Sequence, residues 1–253
     1  MTGMGARSET RRPSLFWPLA VIVVPLISLL AKIRVTGKEK LPAQGAFVLA
    51  PNHYSEFDPL IVAVAVWRLG RAPRFMAKDS LFKIPVLGWL LRRTGMIPVA
   101  RSSSATAAKQ TMKQSEELVE HGRGVIVYPE GTLTRDPDLW PMRGKSGAVR
   151  LALADDIPLI PMAQWGTQAI MGRYQKGLSL WPLRKPVNIV IGDPVDLSDL
   201  RGRAGEQSAL TEATNRLMNA ITALLEDLRD EKAPAERWNP ASHGQKETGR
   251  LDS

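Results

Sequence analysis

The chain has no cysteine in its 253 residues. That excludes disulfides, thiolate nucleophiles and zinc-thiolate sites, and it suits a reducing compartment. Histidine is scarce too. His53, His121 and His243 are too few for a histidine-rich metal centre, so no metal is expected. No serine stands in a Gly-x-Ser-x-Gly elbow, which leaves a covalent serine mechanism without its usual setting. The sequence also lacks internal repeats and any helix-turn-helix, zinc or RNA-stacking motif, which argues against a nucleic-acid partner. Acids are nearly missing between Trp67 and Arg101. There Asp79 stands alone against Arg68, Arg71, Arg74, Lys78, Lys83, Arg92, Arg93 and Arg101, so seven of the nine excess positive charges fall in 35 residues. Such a cluster suits phosphates on a nucleic acid, an anionic lipid or a phosphorylated substrate. The plain alternative is a solvated basic face.

What is present points to one large α/β domain. The hydrophobic fraction of 44% supports a sizeable core. Short apolar runs alternate with helical stretches, as in α/β folds. Residues 1–12 read as a mobile terminus, 33–230 as the main domain, and 231–253, polar with Pro, Gly and Ser, as a disordered tail. From Pro13 to Ala31 there are 19 residues without a charge. As a helix this segment is ~28 Å long, against a bilayer core of ~30 Å. The segment (residues 13–32) therefore reads as membrane-associating. A cleaved signal peptide fits poorly, because no good small-residue cleavage site follows. A single span gains no orientation, since both flanks are basic. A segment kinked at Pro18 and Pro25, entering one leaflet and returning to the same anionic surface, fits the symmetric flanks best. A buried core helix is the soluble alternative.

Strands are expected at Ile33–Val35, Ala46–Ala50, Arg74–Ala77, Gly95–Arg101, Val125–Tyr128, Ile157–Ala163 and Val187–Ile191. The prolines of the sixth suggest an end or edge position. Helices are expected from Leu60 to Leu69, Ser80 to Arg93, Ala105 to Glu120, Gly147 to Ala154 and Glu206 to Asp230. In the second of these, Phe82, Leu87 and Trp89 either pack in the core or meet an acyl chain or a membrane surface.

The most informative stretch is Asn52-His53-Tyr54-Ser55-Glu56-Phe57-Asp58-Pro59, between an apolar strand and an apolar helix. Pro59 suits the first helical position and Asp58 the N-cap. A cap with a nearby loop histidine is one reading. The other is a pair in which the carboxylate orients the imidazole and the ring takes a proton from a hydroxyl. The loop Tyr128-Pro129-Glu130-Gly131-Thr132 follows a strand and suits phosphate binding through backbone N–H groups, or is an ordinary turn.

Four blocks stand in order: Asn52-His53-x4-Asp58, Gly95-Met96-Ile97-Pro98-Val99-Ala100-Arg101, Tyr128-Pro129-Glu130-Gly131-Thr132 and Ile157-Pro158-Leu159-Ile160-Pro161. Together with Lys78-Asp79-Ser80-Leu81 they resemble the lysophospholipid acyltransferase family, in particular the bacterial type of 1-acylglycerol-3-phosphate acyltransferase. The resemblance covers about residues 30–195. It implies a mixed, largely parallel central sheet flanked by helices, a hydrophobic tunnel for the acyl chain and a basic pocket for phosphate. It also implies acyl transfer from a thioester of CoA or acyl carrier protein to the 2-hydroxyl of lysophosphatidic acid, with no further cofactor. His53 then matches the general base and Asp58 its partner. Arg101, Glu130, Gly131 and Thr132 match phosphate-binding positions, and Lys78 a basic position near them. The family often has arginine directly after Glu-Gly-Thr. Here Leu133 stands there, so Arg135, Arg143 or Lys145 is expected to substitute, or the acceptor headgroup differs. The implied location is the cytoplasmic side of the cell membrane, monotopic or single-pass. Other lysophospholipid or glycolipid acceptors, and a non-catalytic membrane-surface protein, are the alternatives.

Overall fold

A computed structural model describes residues 9–11, 14–99, 105–247 and 249, without side chains for residues 11, 99 and 105–109. The chain opens with helix α1 (Phe16–Leu30) and strand β1 (Ala31–Thr36). Strand β2 (Phe47–Pro51) leads into helix α2 (Asp58–Arg68). Strand β3 (Met76–Lys78), helices α3 (Asp79–Phe82) and α4 (Pro85–Arg93), and strand β4 (Ile97–Val99) come next. Then come helix α5 (Ala105–Glu120), strand β5 (Gly124–Ile126) and helix α6 (Gly147–Ala154). Strands β6 (Leu159–Trp165) and β7 (Lys185–Ile191) and helix α7 (Gln207–Arg229) complete the order.

The main sheet runs β1-β7-β6-β2-β5. Its pairings are parallel except between β6 and β7. A small parallel pair, β3 and β4, joins its far edge through a bridge from Phe75 to Ile126. The sheet is covered on both faces, and this explains why its central strands are apolar throughout. Val48 and Ala50 of β2 pack with α6 and α7, whereas Phe47 and Leu49 pack with α1 and α2. Successive strand residues face opposite sides, so both sets are buried.

Several expectations change here. The stretch from Ser80 to Arg93 is two helices, because Pro85 starts a new one. Phe82 is buried, which removes it as a membrane contact, while Leu87 and Trp89 are exposed. β6 is central rather than at an edge. Pro161 is tolerated because it stands at the end of the β6–β7 ladder, where its carbonyl still accepts the Gly192 N–H at 2.9 Å. The apolar N-terminal segment is one helix that passes directly into β1, with no return turn. Its 15 residues span ~22 Å, and no helix among the described residues is long and apolar enough to cross a membrane. α1 docks on α2, with Phe16 and Trp17 against the Trp67 ring. Leu19, Ile22, Leu26 and Leu29 are exposed at three- and four-residue spacing, a single apolar stripe.

The tail also departs from its reading as disordered. Residues 231–247 lie against the domain. The Arg143 N–H donates to the Trp238 carbonyl at 3.0 Å, the Trp238 and His243 rings stack at 3.6 Å, and Pro240 is buried. Two anchors, Trp238 and Pro240, outweigh the polar average of the segment.

Candidate active site

The parallel strands β2, β5 and β6 end on one side of the sheet, and three loops meet there, as ligand sites in open α/β sheets do. Asn52 closes the end of β2 onto β6. Its amide donates to the Gln164 carbonyl at 3.1 Å and accepts the Gln164 N–H at 2.9 Å. This pair fixes where the following loop starts.

Asp58 is fully buried, and its Oδ2 collects three donors. The N–H groups of Tyr54 and Ser55 donate to it at 2.8 Å each, and His53 Nδ1 lies at 3.0 Å. The expected helix cap is therefore corrected: Asp58 is the first residue of α2, and its carboxylate reaches back to hold the loop instead of capping α2. A carboxylate only accepts, so Nδ1 carries a proton, and in the neutral imidazole the free lone pair is on Nε2. The ring stacks on Tyr128 with centroids 4.0 Å apart, and the His53 side chain retains 16% exposure. Ring orientation and tautomer are thus held from two sides. Such an arrangement suits a general base, which needs a fixed ring with one nitrogen open to a substrate proton.

Glu130 is buried and acts as a second anchor. Its Oε1 accepts the His53 N–H at 2.9 Å and its Oε2 the Met142 N–H at 3.0 Å. Thr134 N–H closes the loop onto the His53 carbonyl at 2.7 Å. Burial pushes the Glu130 carboxyl up to about 8, against the lowering effect of the two N–H donors. A carboxyl raised on folding favours the protonated folded form. Its stabilising contribution is complete below the ordinary value of 4.5 and is lost as pH rises towards about 8. Urea midpoints of the wild type should therefore fall between pH 5 and 8, and Glu130→Gln, neutral throughout, should flatten that decline. Equal slopes for both proteins would refute the assignment.

Gly131 has φ +71°, a left-handed conformation that favours glycine. A Cβ there would meet the Lys145 stem at 3.1 Å, with the ammonium 3.6 Å away. Lys145 thus lies across the Glu130–Thr132 loop. Glu130, Arg143, Lys145, Ser146 and Glu247 line a cavity of about 340 Å³. Glu130 belongs both to this cavity and to the His53 loop.

The remaining expected site residues separate. Arg135 is buried, and its guanidinium donates to Tyr174 Oη at 2.9 Å and to the Gly249 carbonyl at 2.7 Å. It braces loops, which corrects its expected place in a phosphate pocket. Leu133 is buried as well. Thr132 is half-buried beside Gly131. Lys78 is exposed at the end of β3, three residues beyond Phe75, whose ring stacks on Tyr128 at 6.3 Å. Arg101 lies outside the described residues. The basic cluster is partly structural. Arg71 is buried and donates to the carbonyls of Pro42, Gly45 and Gly122, and it shares Glu9 with Arg74. Glu247 and Met142 had no local sequence signal, since only folding brings them to Glu130.

A profile of the acyltransferase family matches residues 32–165, more than half of the chain. The chain belongs to the acyltransferase family. Among curated relatives, the 1-acyl-sn-glycerol-3-phosphate acyltransferase of Bacillus subtilis is 28% identical over 205 residues, covering 80% of this chain and 94% of that protein. The chloroplastic 1-acyl-sn-glycerol-3-phosphate acyltransferase BAT2 of Brassica napus is 32% identical over 148 residues, 58% of this chain. Against that plant relative the chain spans 41% of its length. The crystal structure of the 1-acyl-sn-glycerophosphate (LPA) acyltransferase PlsC from Thermotoga maritima aligns with a TM-score of 0.58 at 20% identity, over 89% of this chain and 87% of that one. That likeness is one of fold. His53, Asp58 and the Glu130 loop lie inside the matched residues, whereas the tail that lines the Glu130 cavity lies beyond them.

Proposed function

We propose that this acyltransferase moves a fatty acyl group from an acyl thioester to the 2-hydroxyl of 1-acylglycerol 3-phosphate, giving phosphatidic acid. The observation that carries the reading is the buried Asp58 carboxylate, which holds Nδ1 of His53 and leaves Nε2 free to accept a proton. A sugar-alcohol hydroxyl is a weak nucleophile and needs such a base. His53 Nε2 takes the hydroxyl proton as the oxygen attacks the thioester carbonyl carbon. A C–O bond forms, the tetrahedral centre collapses, the C–S bond breaks, and the imidazolium returns the proton to the departing thiolate. Asp58 supports the imidazolium between these steps. No cofactor is required beyond the thioester of CoA or acyl carrier protein.

The acceptor phosphate is assigned to the cavity beside Glu130, with Arg143 and Lys145 as its cations. These stand in for the arginine that Leu133 replaces, and the names of the Bacillus and Brassica relatives support a glycerol phosphate acceptor. Thr132 and the Gly131 backbone, Lys78 and Arg101 are proposed as further contacts. The enzyme is placed on the cytoplasmic face of the membrane. There the apolar stripe of α1, and Leu87 and Trp89 of α4, meet the lipid, with Lys83, Arg92 and Arg93 over anionic headgroups.

The test uses the full chain, acyl-CoA or acyl-carrier-protein donor, and a panel of lysolipids in vesicles. Lysophosphatidic acid should give the highest kcat/KM. A preference for lysophosphatidylcholine or a neutral glycolipid would overturn the acceptor assignment.

A further inference from the structure

The connection between β6 and β7 has no role in the chemistry above, yet it carries four exposed large apolar side chains. Trp181 is 81% exposed, and Leu178, Leu180 and Leu183 are exposed beside it. Soluble surfaces rarely cluster large apolar groups in this way. The loop is well tied. Ser179 N–H donates to the Ile170 carbonyl at 2.8 Å. The buried Lys185 ammonium donates to the carbonyls of Ser179 at 2.6 Å and Pro182 at 3.0 Å. Its apolar tip is thus held outward by a built scaffold.

Two connections give the tip its place. At one end the Arg184 N–H donates to the Leu29 carbonyl at 3.0 Å, which sets the loop beside the last turn of α1 and its apolar stripe. At the other end the segment grips the catalytic loop. Ser55 Oγ donates to the Met171 carbonyl at 2.6 Å, and the Tyr174 N–H to Glu56 Oε2 at 3.3 Å. Arg173 donates to the carbonyls of Thr134 at 2.7 Å and Asp136 at 2.6 Å. One short segment therefore joins the His53-x4-Asp58 loop to an apolar tip at the end of α1. The charge is one-sided as well. From Ile157 to Gly192 no acid occurs in 36 residues, while exposed Lys176 and Arg184 bracket the tip.

We infer that Leu178, Leu180, Trp181 and Leu183 form a lipid-inserting loop that seats the acyltransferase on an anionic bilayer and sets the bilayer surface beside the catalytic loop. Tryptophan favours the membrane interface, and flanking cations favour anionic headgroups. The acid-free sequence selects an anionic lipid surface over a second copy of this basic chain. The seating needs no chemistry, but its benefit to turnover rests on the lysolipid reading above.

The experiment compares the full-length wild type with the double variant Leu180→Ser/Trp181→Ser. Binding is read by sedimentation with vesicles of phosphatidylglycerol and phosphatidylethanolamine. Turnover is read with a long-chain acceptor in those vesicles and with a short-chain, monomeric acceptor in solution. The variant should bind vesicles about tenfold or more weakly, as loss of two inserted apolar groups implies. Its kcat/KM should fall in step for the vesicle acceptor and stay within about twofold for the soluble one. Unchanged vesicle affinity, or an equal loss on both acceptors, overturns the proposal. So does a wild-type dimer that the variant converts to monomer without loss of vesicle binding. Brominated-lipid quenching gives a second reading that survives poor folding of the double variant: Trp181→Phe should remove a quenched component of the fluorescence, and an unchanged quench counts against insertion. If the wild type acylates neither acceptor, the lysolipid reading fails, and the sedimentation and quenching results still decide the loop.

Discussion

His53→Ala should lower kcat for acyl transfer by about 10²–10⁴-fold, the range that a positioned general base contributes. Little stability should be lost. The backbone of His53, not its ring, makes the bonds to Glu130 and Thr134, and alanine keeps both the N–H and the carbonyl. The ring does contribute its stack on Tyr128, so a small drop in Tm is expected. Single-turnover rates with saturating thioester isolate the chemical step, and circular dichroism reports the fold. A variant that melts normally and still turns over within a factor of a few would remove His53 from the mechanism.

Changes at Asp58 should separate two roles that reside on one oxygen. Asparagine can place its carbonyl where Oδ2 stands and keep the Tyr54 and Ser55 N–H bonds, but it carries no charge to support an imidazolium. Alanine removes the acceptor altogether and leaves two buried N–H groups unpaired, at ~1–3 kcal/mol each. Both variants should lose activity by about 10²-fold or more. The alanine variant alone should lose several degrees of Tm, because its effect on stability is much the larger. Matching melting temperatures for the two would contradict the bonding assigned to Oδ2.

Much of this architecture was legible from the residues. Val125–Tyr128 and Ala46–Ala50 read as buried strands because runs of apolar residues have few other homes. The observed β5 and β2 lie within or one residue beyond those runs. The spacing of His53 and Asp58 pointed to a pair, since a carboxylate at the start of a helix lies within reach of the loop before it. Other features were hidden for specific reasons. The prolines of β6 suggested an end or an edge; β6 is central, and Pro161 stands where the β6–β7 ladder ends, so the first alternative holds. Arg135 stood in the right place to bind phosphate, but a buried guanidinium takes whichever carbonyl the fold brings to it. Here that is Gly249, 114 positions away. Composition described residues 231–253 as unstructured, because averaging a polar stretch concealed Trp238 and Pro240, the anchors of the described part, 231–247.

By itself, then, the sequence determined the alternation of strands and helices, the apolar N-terminal segment, the exclusion of thiol chemistry, and the His53–Asp58 pair. All of these depend on residues close in the chain, where spacing and side-chain chemistry act directly. Only the tertiary structure decided which charges are buried as braces and which stay exposed. It placed Glu130 between His53 and Met142, turned Arg71 and Arg135 inward, brought the tail to the Glu130 cavity, and set an apolar loop at the end of α1. Those outcomes depend on contacts between distant segments, and the free energy of a buried charge is set by partners that no local pattern names.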